Sequence, residues 1–233
     1  MSGAIEGMDR SMAMKDYLQS RYCTAEVIAA RSGMSLAEFD RLVGDGVIPQ
    51  PSYIILPDRA VSAVFGDLPT DGAAPGRYFA PSQAAWIARA LDTGAGGLEA
   101  SFRDRMAEAL AEADRSIFRL TDSFDEGGLR LPGLDARIND MWDSFVKGVF
   151  ALCVVNGDCE AAIARKEILQ EKLTALTAEG TSIDGMPDEE LERLIDDYAA
   201  AAMPFAPSEY ARTSRKRLVD DLRLKLAARK AGK

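Results

Sequence analysis

Residues 22–53 read YCTAEVIAARSGMSLAEFDRLVGDGVIPQPSY, and this stretch decides how the N-terminal part of the chain is expected to fold. Thr24 stands where an N-cap is wanted, and Ala25 to Arg31 carry helix-forming residues with a small Ala29 in the middle. Ser32-Gly33-Met34 is a tight turn. Ser35-Leu36-Ala37-Glu38 then forms a capping box, in which the Ser35 hydroxyl accepts from the Glu38 amide and the Glu38 side chain reaches back. The second helix runs to about Gly44, with Phe39 and Leu42 inward, and Gly46, Pro49 and Pro51 end it.

Outward from that pair, Met14 to Arg21 reads as a short helix, and residues 1–13 as a disordered N-terminus. Pro51 to Gly76 is the most irregular stretch. Within it Tyr53 to Leu56 reads as a short strand, and Val61 to Phe65 as a strand or a helical turn. A helix follows from Pro81 or Ser82 to about Leu91. Gly94-Ala95-Gly96-Gly97 is a linker: it follows a helix and lacks the Lys-Ser/Thr ending of a phosphate loop. The second half carries helical stripes, one of them from Leu98 through Phe102, Met106, Leu110 and Ile117 to Leu120, and another from Leu134 to Leu152. Two more helices are expected before Pro204, and a basic helix from Ser208 to the end.

Composition narrows the chemistry. Apolar residues make up 47% of 233, enough for a core without disulfides or metals. Histidine is absent, which removes Ser-His-Asp and Cys-His catalysis and histidine-ligated zinc. Three cysteines form no disulfide framework, no apolar run reaches the roughly 18–20 residues of a membrane span, and the N-terminus has no signal-peptide core. A cytoplasmic location is expected, without contact to a membrane. Net charge is −9 but uneven. Residues 210–233 hold nine Lys/Arg against Asp220 and Asp221, a net +7, so the remainder carries −16. An acidic body repels nucleic acid, whereas the tail could meet an anion or an acidic partner.

The quoted stretch resembles the start of a MerR-like winged helix. It shares small Ala29, turn Gly33, cap Ser35, apolar Phe39 and Leu42, and Gly46-Val47-Ile48-Pro49 leading into a wing, with Arg77-Tyr78-Phe79 resembling the wing's return. The resemblance covers roughly residues 20–92. It implies a mainly α fold: a MerR-like winged-helix domain over 14–93, followed over 98–233 by a bundle of about five helices. In DNA-binding members the second helix supplies donors to DNA. Here it offers Glu38, Asp40 and Asp45 with only Arg41 basic, so DNA contact through Arg41 is the alternative and the module reads as one that no longer reads DNA. A dimer stays open.

A second resemblance covers residues 17–230. PSY at 51–53, MWDSFVKGVFALC at 141–153, IARKE at 163–167 and PFAPSEYARTSRKR at 204–217 look like an uncharacterised bacterial family connected with natural-product biosynthesis. It implies an accessory or binding protein of secondary metabolism, with a protein partner or a small-molecule ligand. A DNA-binding regulator and a histidine-free enzyme are the competing readings.

The candidate binding residues follow. Tyr53, Arg77 and Tyr78 are expected to line a groove between the wing and the helical domain, or to pack the wing. Cys153 ends an apolar helix and reads as core; Cys159 lies too far away for a redox pair. Lys166, beside Arg165 and Glu167, reads as a solvated face, with a buried nucleophile or base as the alternative. Glu209, Ser214 and Arg215 lie where the basic helix begins, either as caps with Ser208 or as an anion or partner site. The acidic loop of Asp122, Asp125 and Glu126 lacks calcium-loop spacing and is read as holding no metal. No cofactor and no assigned catalytic residue follow from the sequence.

Overall fold

The computed structural model of the protein describes residues 12–94, 96–113 and 118–232. The expected disordered N-terminus, over residues 1–11, lies outside the described residues, as do Ala95 of the glycine linker and Ile117 of the first apolar stripe.

The chain opens with α1 (Met14–Arg21), β1 (Cys23–Thr24), α2 (Ala25–Arg31) and α3 (Leu36–Gly44). The turn between α2 and α3 places Gly33 at φ +71°, and the Ser35 hydroxyl accepts from the Glu38 amide at 3.2 Å, which starts α3; of the expected capping box this half forms, and the Glu38 side chain makes no return bond to the Ser35 amide among the described residues. Four more strands follow: β2 (Tyr53–Ile55), β3 (Ala60–Ser62), β4 (Gly66–Leu68) and β5 (Gly76–Phe79). They join β1 in one antiparallel sheet of order β1-β5-β2-β3-β4.

That sheet overturns the expectation of a mainly α chain opening in a MerR-like winged helix. Helix dominates the chain as a whole, but residues 23–79 also build a five-stranded antiparallel sheet. Each strand is only two to four residues long. Alternation over so few positions, interrupted by Pro57, Asp58, Pro69 and Asp71, carries too little period-two signal to outweigh helical stripes elsewhere. Pairing between distant segments, such as Thr24 with Tyr78, is what makes them strands.

The sheet's two faces have different tasks. Tyr53 pairs with Tyr78 and Ser62, so these three share one face; Ile54 and Arg77 share the other. On the Arg77 side the α2–α3 pair covers the sheet: Phe39 meets Phe79 edge to face at 5.0 Å, and Arg77 donates to Asp40 at 2.5 Å. On the Tyr53 side the sheet meets α1, with Tyr17, Tyr22 and Tyr53 packed at 5.2–6.1 Å between ring centres.

Beyond the sheet come α4 (Gln83–Thr93), α5 (Gly97–Ala111), a 3₁₀ turn (Phe118–Asp122), α6 (Pro132–Val146), α7 (Val149–Cys153), α8 (Glu160–Leu176), α9 (Asp188–Ala201), α10 (Pro207–Tyr210), a π-helical turn (Lys216–Asp220) and α11 (Asp221–Ala231). One apolar cluster draws on residues from Met14 to Ala206, on both sides of the 94–97 loop; a second joins Leu173, Leu191, Ile195, Leu218 and Leu222. Specific polar contacts join the two halves. The Gln50 amide donates to the Val146 carbonyl at 2.8 Å, the Trp86 indole donates to the Gly157 carbonyl at 2.7 Å, and Arg89 grips the buried Glu160 with both prongs at 2.5 and 3.3 Å. Gly148, between α6 and α7, adopts φ +77°, and a Cβ there would lie 2.5 Å from the Gln50 carbonyl oxygen. No helix among the described residues is long and apolar enough to cross a membrane.

Candidate functional site

A cleft of about 960 Å³ opens where the β3–β4 hairpin tip, α6, α7, α8 and the segment 205–217 meet. The volume suits a drug-sized ligand, for which pockets of roughly 300–1,000 Å³ are usual. Phe65 from the hairpin, Phe150 from α7 and Phe205 give it aromatic walls, and Phe65 and Phe205 meet edge to face at 5.8 Å.

Lys166 lies on the α8 side of the cleft and is 4% exposed. The reading of a solvated face does not describe it: α8 packs against α5, α9 and the π turn, so little of it faces water. Lys166 Nζ donates to Glu167 Oε1 and to Gln170 Oε1, each at 2.8 Å. An ammonium has three donors; the third has no partner among the described residues. Burial by itself would lower the pKa of Lys166, but the Glu167 carboxylate, then the Cys153 and Tyr198 side chains, outweigh it and hold the amine above its ordinary value. Lys166 is therefore a fixed cation, poorly suited to act as a nucleophile or a base.

Cys153 ends α7 and lines the same cleft. Burial pushes its thiol up to about 12, against a smaller pull from Lys166. At neutral pH it is a thiol, and a thiol is a weak nucleophile. Gln170 and Ser214, both on the cleft, are tied together by Tyr198 of α9, whose hydroxyl lies 3.0 Å from Gln170 Oε1 and 2.8 Å from Ser214 Oγ. Burial raises the Tyr198 pKa. One polar chain thus runs from Glu167 through Lys166, Gln170 and Tyr198 to Ser214.

Tyr53 and Glu209, two further candidates, form a pair that is not part of the cleft lining. The Tyr53 hydroxyl donates to Glu209 Oε2 at 2.5 Å, and both residues are fully buried. Burial raises the Glu209 carboxyl pKa, against smaller pulls from the Ser62 and Tyr53 hydroxyls and the Ala206 backbone. Burial likewise holds Tyr17, Tyr22 and Tyr53 above the usual phenol range. The Tyr17 and Tyr22 hydroxyls approach each other without a well-formed hydrogen bond, as do the Ser62 hydroxyl and the Glu209 carboxyl group. This cluster fastens the sheet to α10. Ala206, not Ser208, stands at the N-cap of α10.

The remaining candidates make contacts elsewhere within the chain. Arg77 holds Asp40 on the sheet's far face, and the Tyr78 hydroxyl donates to the Ala74 carbonyl at 2.9 Å, so the expected groove of Tyr53, Arg77 and Tyr78 does not form. Arg215 Nη1 donates to the Ala199 and Ala202 carbonyls, each at 2.6 Å, and closes the C-terminal end of α9. Arg41 is exposed and pairs with Asp45 at 3.3 Å. The basic C-terminal stretch is also largely spent within the molecule. Lys216 holds Asp221, Arg223 holds Asp196, Lys225 donates to the Gly180 and Thr181 carbonyls, Arg229 pairs with Asp188, and Lys230 holds Glu192. Among the described residues no group of three Cys, Asp or Glu side chains is placed to hold a metal ion.

Sequence reasoning missed Arg212, Arg137 and Tyr198. Arg212 lies 4.9 Å over the Phe65 ring and donates to the Phe65 carbonyl at 3.1 Å, a partner 147 residues away. Arg137 bridges α6 to Glu171 of α8 at 2.8 Å. Only Tyr198 left a signal, through its helical spacing from Leu191, Leu194 and Ile195 on the buried side of α9.

Residues 98–227 match the sequence pattern of a family of unknown function, DUF6058. The match takes in every cleft-lining residue except Val64 and Phe65 of the hairpin. No curated protein and no solved structure matches the chain. Because the matched stretch is more than half of the 233 residues, the chain belongs to the DUF6058 family of unknown function.

Proposed function

We propose that this protein binds a small-molecule ligand in the cleft, without transforming it, and serves as an accessory protein of bacterial secondary metabolism. The observation that carries the reading is Lys166, a buried cation whose amine is held above its ordinary pKa, on a cleft walled by three phenylalanines and other charged side chains, with one donor unspent among the described residues. Both perturbed groups on the cleft, Lys166 and Cys153, are pushed toward the protonated form that does not attack an electrophile. A site so arranged can orient and hold. Three of the four segments behind the resemblance, 141–153, 163–167 and 204–217, contribute to the cleft walls, which supports a role tied to the ligand rather than to DNA. The acidic exposed side of α3 supports the same choice.

The test is affinity selection of small molecules from a bacterial extract, read by native mass spectrometry. The protein is expected to retain a discrete small molecule, and Lys166→Met, checked for folding by circular dichroism, to weaken retention by about tenfold, the order of one charge-assisted hydrogen bond. Retention of nothing, or retention indifferent to Lys166, refutes the proposal.

A further inference from the structure

The charges on the cleft sort by wall. Two ion pairs close on themselves: Lys166 with Glu167 at 2.8 Å, and Arg137 with Glu171 at 2.8 Å. What remains is unequal from side to side. Asp122, on the 3₁₀ turn, and Asp140, on α6, line one side, and their side chains have no ion pair or hydrogen bond among the described residues. Arg212 and Arg217, from the segment that leads into α11, line another; among the described residues the Arg217 side chain reaches only Glu179, at 3.9 Å. Arg212 is held in place by the Phe65 ring and carbonyl, which leaves most of its five donors unspent. Lys166 adds its unspent donor from α8, beside Ser214 and Thr213. The lining is thus neutral in sum and dipolar in arrangement, with the aromatic walls of Phe65, Phe150 and Phe205 beside it.

An anion alone would leave Asp122 and Asp140 facing it, and a cation alone would face the two arginines. A ligand carrying both charges satisfies both sides. Resting on the binding reading above, we infer that the cleft takes a zwitterion of the short-peptide type with an apolar side chain, its carboxylate toward Arg212 and Lys166 and its ammonium toward Asp122 and Asp140. The volume of about 960 Å³ is generous for a single amino acid and suits two or three residues.

Isothermal titration with one dipeptide, Leu-Phe, tests this against its N-acetyl form, its C-terminal amide and the doubly blocked compound. The free zwitterion is expected to bind, and each single block to weaken binding by about tenfold, the order of a lost charge-assisted hydrogen bond. Arg212→Gln, at an exposed position, is expected to abolish the penalty for the amide while preserving that for the N-acetyl form, and Asp140→Asn the reverse. The inference is overturned if the four compounds bind alike, or if none binds while an extract compound is still retained in the cleft. Retention of no compound from any source overturns the binding reading itself.

Discussion

Replacing Glu209 by Gln, and Tyr53 by Phe, should move stability in opposite directions. Tyr53→Phe removes the hydroxyl that donates to Glu209 Oε2 at 2.5 Å in a fully buried setting. A hydrogen bond to a charged group is worth about 1.5–3 kcal/mol, and its loss leaves the carboxylate buried with less compensation, so we expect a loss of about 2 kcal/mol once the carboxyl has ionised at the alkaline side of its titration. Glu209→Gln keeps the volume and an acceptor for Tyr53 while removing the charge that burial disfavours. The pH dependence fixes the sign. Burial raises the Glu209 pKa in the folded state, so the folded protein binds this proton more readily than the unfolded chain. That contribution is complete below the ordinary glutamate range and is lost as pH rises through the folded-state value. The stability of Glu209→Gln relative to wild type should therefore grow with rising pH, with a slope of at most about 1.4 kcal/mol per pH unit. In the Glu209→Gln background, Tyr53→Phe should cost only the roughly 1 kcal/mol of a neutral hydrogen bond. Urea unfolding of the four proteins from about pH 5 to about pH 9 reads all of this. A Glu209→Gln variant that runs parallel to wild type across that range, or a Tyr53→Phe variant as stable as wild type, refutes the reasoning.

Further outcomes follow from other buried contacts. Glu160→Ala strands Arg89, 18% exposed in its side chain, and should cost about 3–5 kcal/mol in urea unfolding. Gly148→Ala must place a Cβ 2.5 Å from the Gln50 carbonyl at φ +77° and should cost at least about 2 kcal/mol, with loss of protection at the Gln50 amide in hydrogen exchange. A thiol reagent at pH 8 should label half-buried Cys159 well before Cys153, whose thiol is held up at about 12, and Cys153 should react only as the chain unfolds.

Local signals carried the α2–α3 pair into view, because Ser35, Glu38 and Gly33 act within a few residues of themselves. Beyond the short strand expected at Tyr53 to Leu56 and the alternative of one at Val61 to Phe65, the sheet stayed hidden for the opposite reason: its strands gain their identity from pairings such as Ile54 with Arg77, and two to four residues show no period. Lys166 beside Arg165 and Glu167 looked solvated, since sequence spacing describes one helix and not the neighbours that cover it. Tyr53 and Glu209 were both singled out, yet their meeting across 156 residues is invisible to any local pattern. The basic C-terminal stretch suggested an anion or acidic partner because a charge count includes Asp196, Asp188 and Glu192 elsewhere without placing them beside Arg223, Arg229 and Lys230. Backbone carbonyls, which took up Arg215 and Lys225, do not enter such a count at all.

The cleft as a ligand site is the central claim, and filling it tests the claim most directly. Ala136 lines the cleft from an exposed position on α6, so Ala136→Trp adds bulk there while leaving every polar partner in place. In side-by-side affinity selection from the same extract, the wild-type protein should retain its small molecule and the folded Ala136→Trp variant should lose at least about tenfold in retention, about 1.4 kcal/mol. Equal retention by the two proteins would contradict the account.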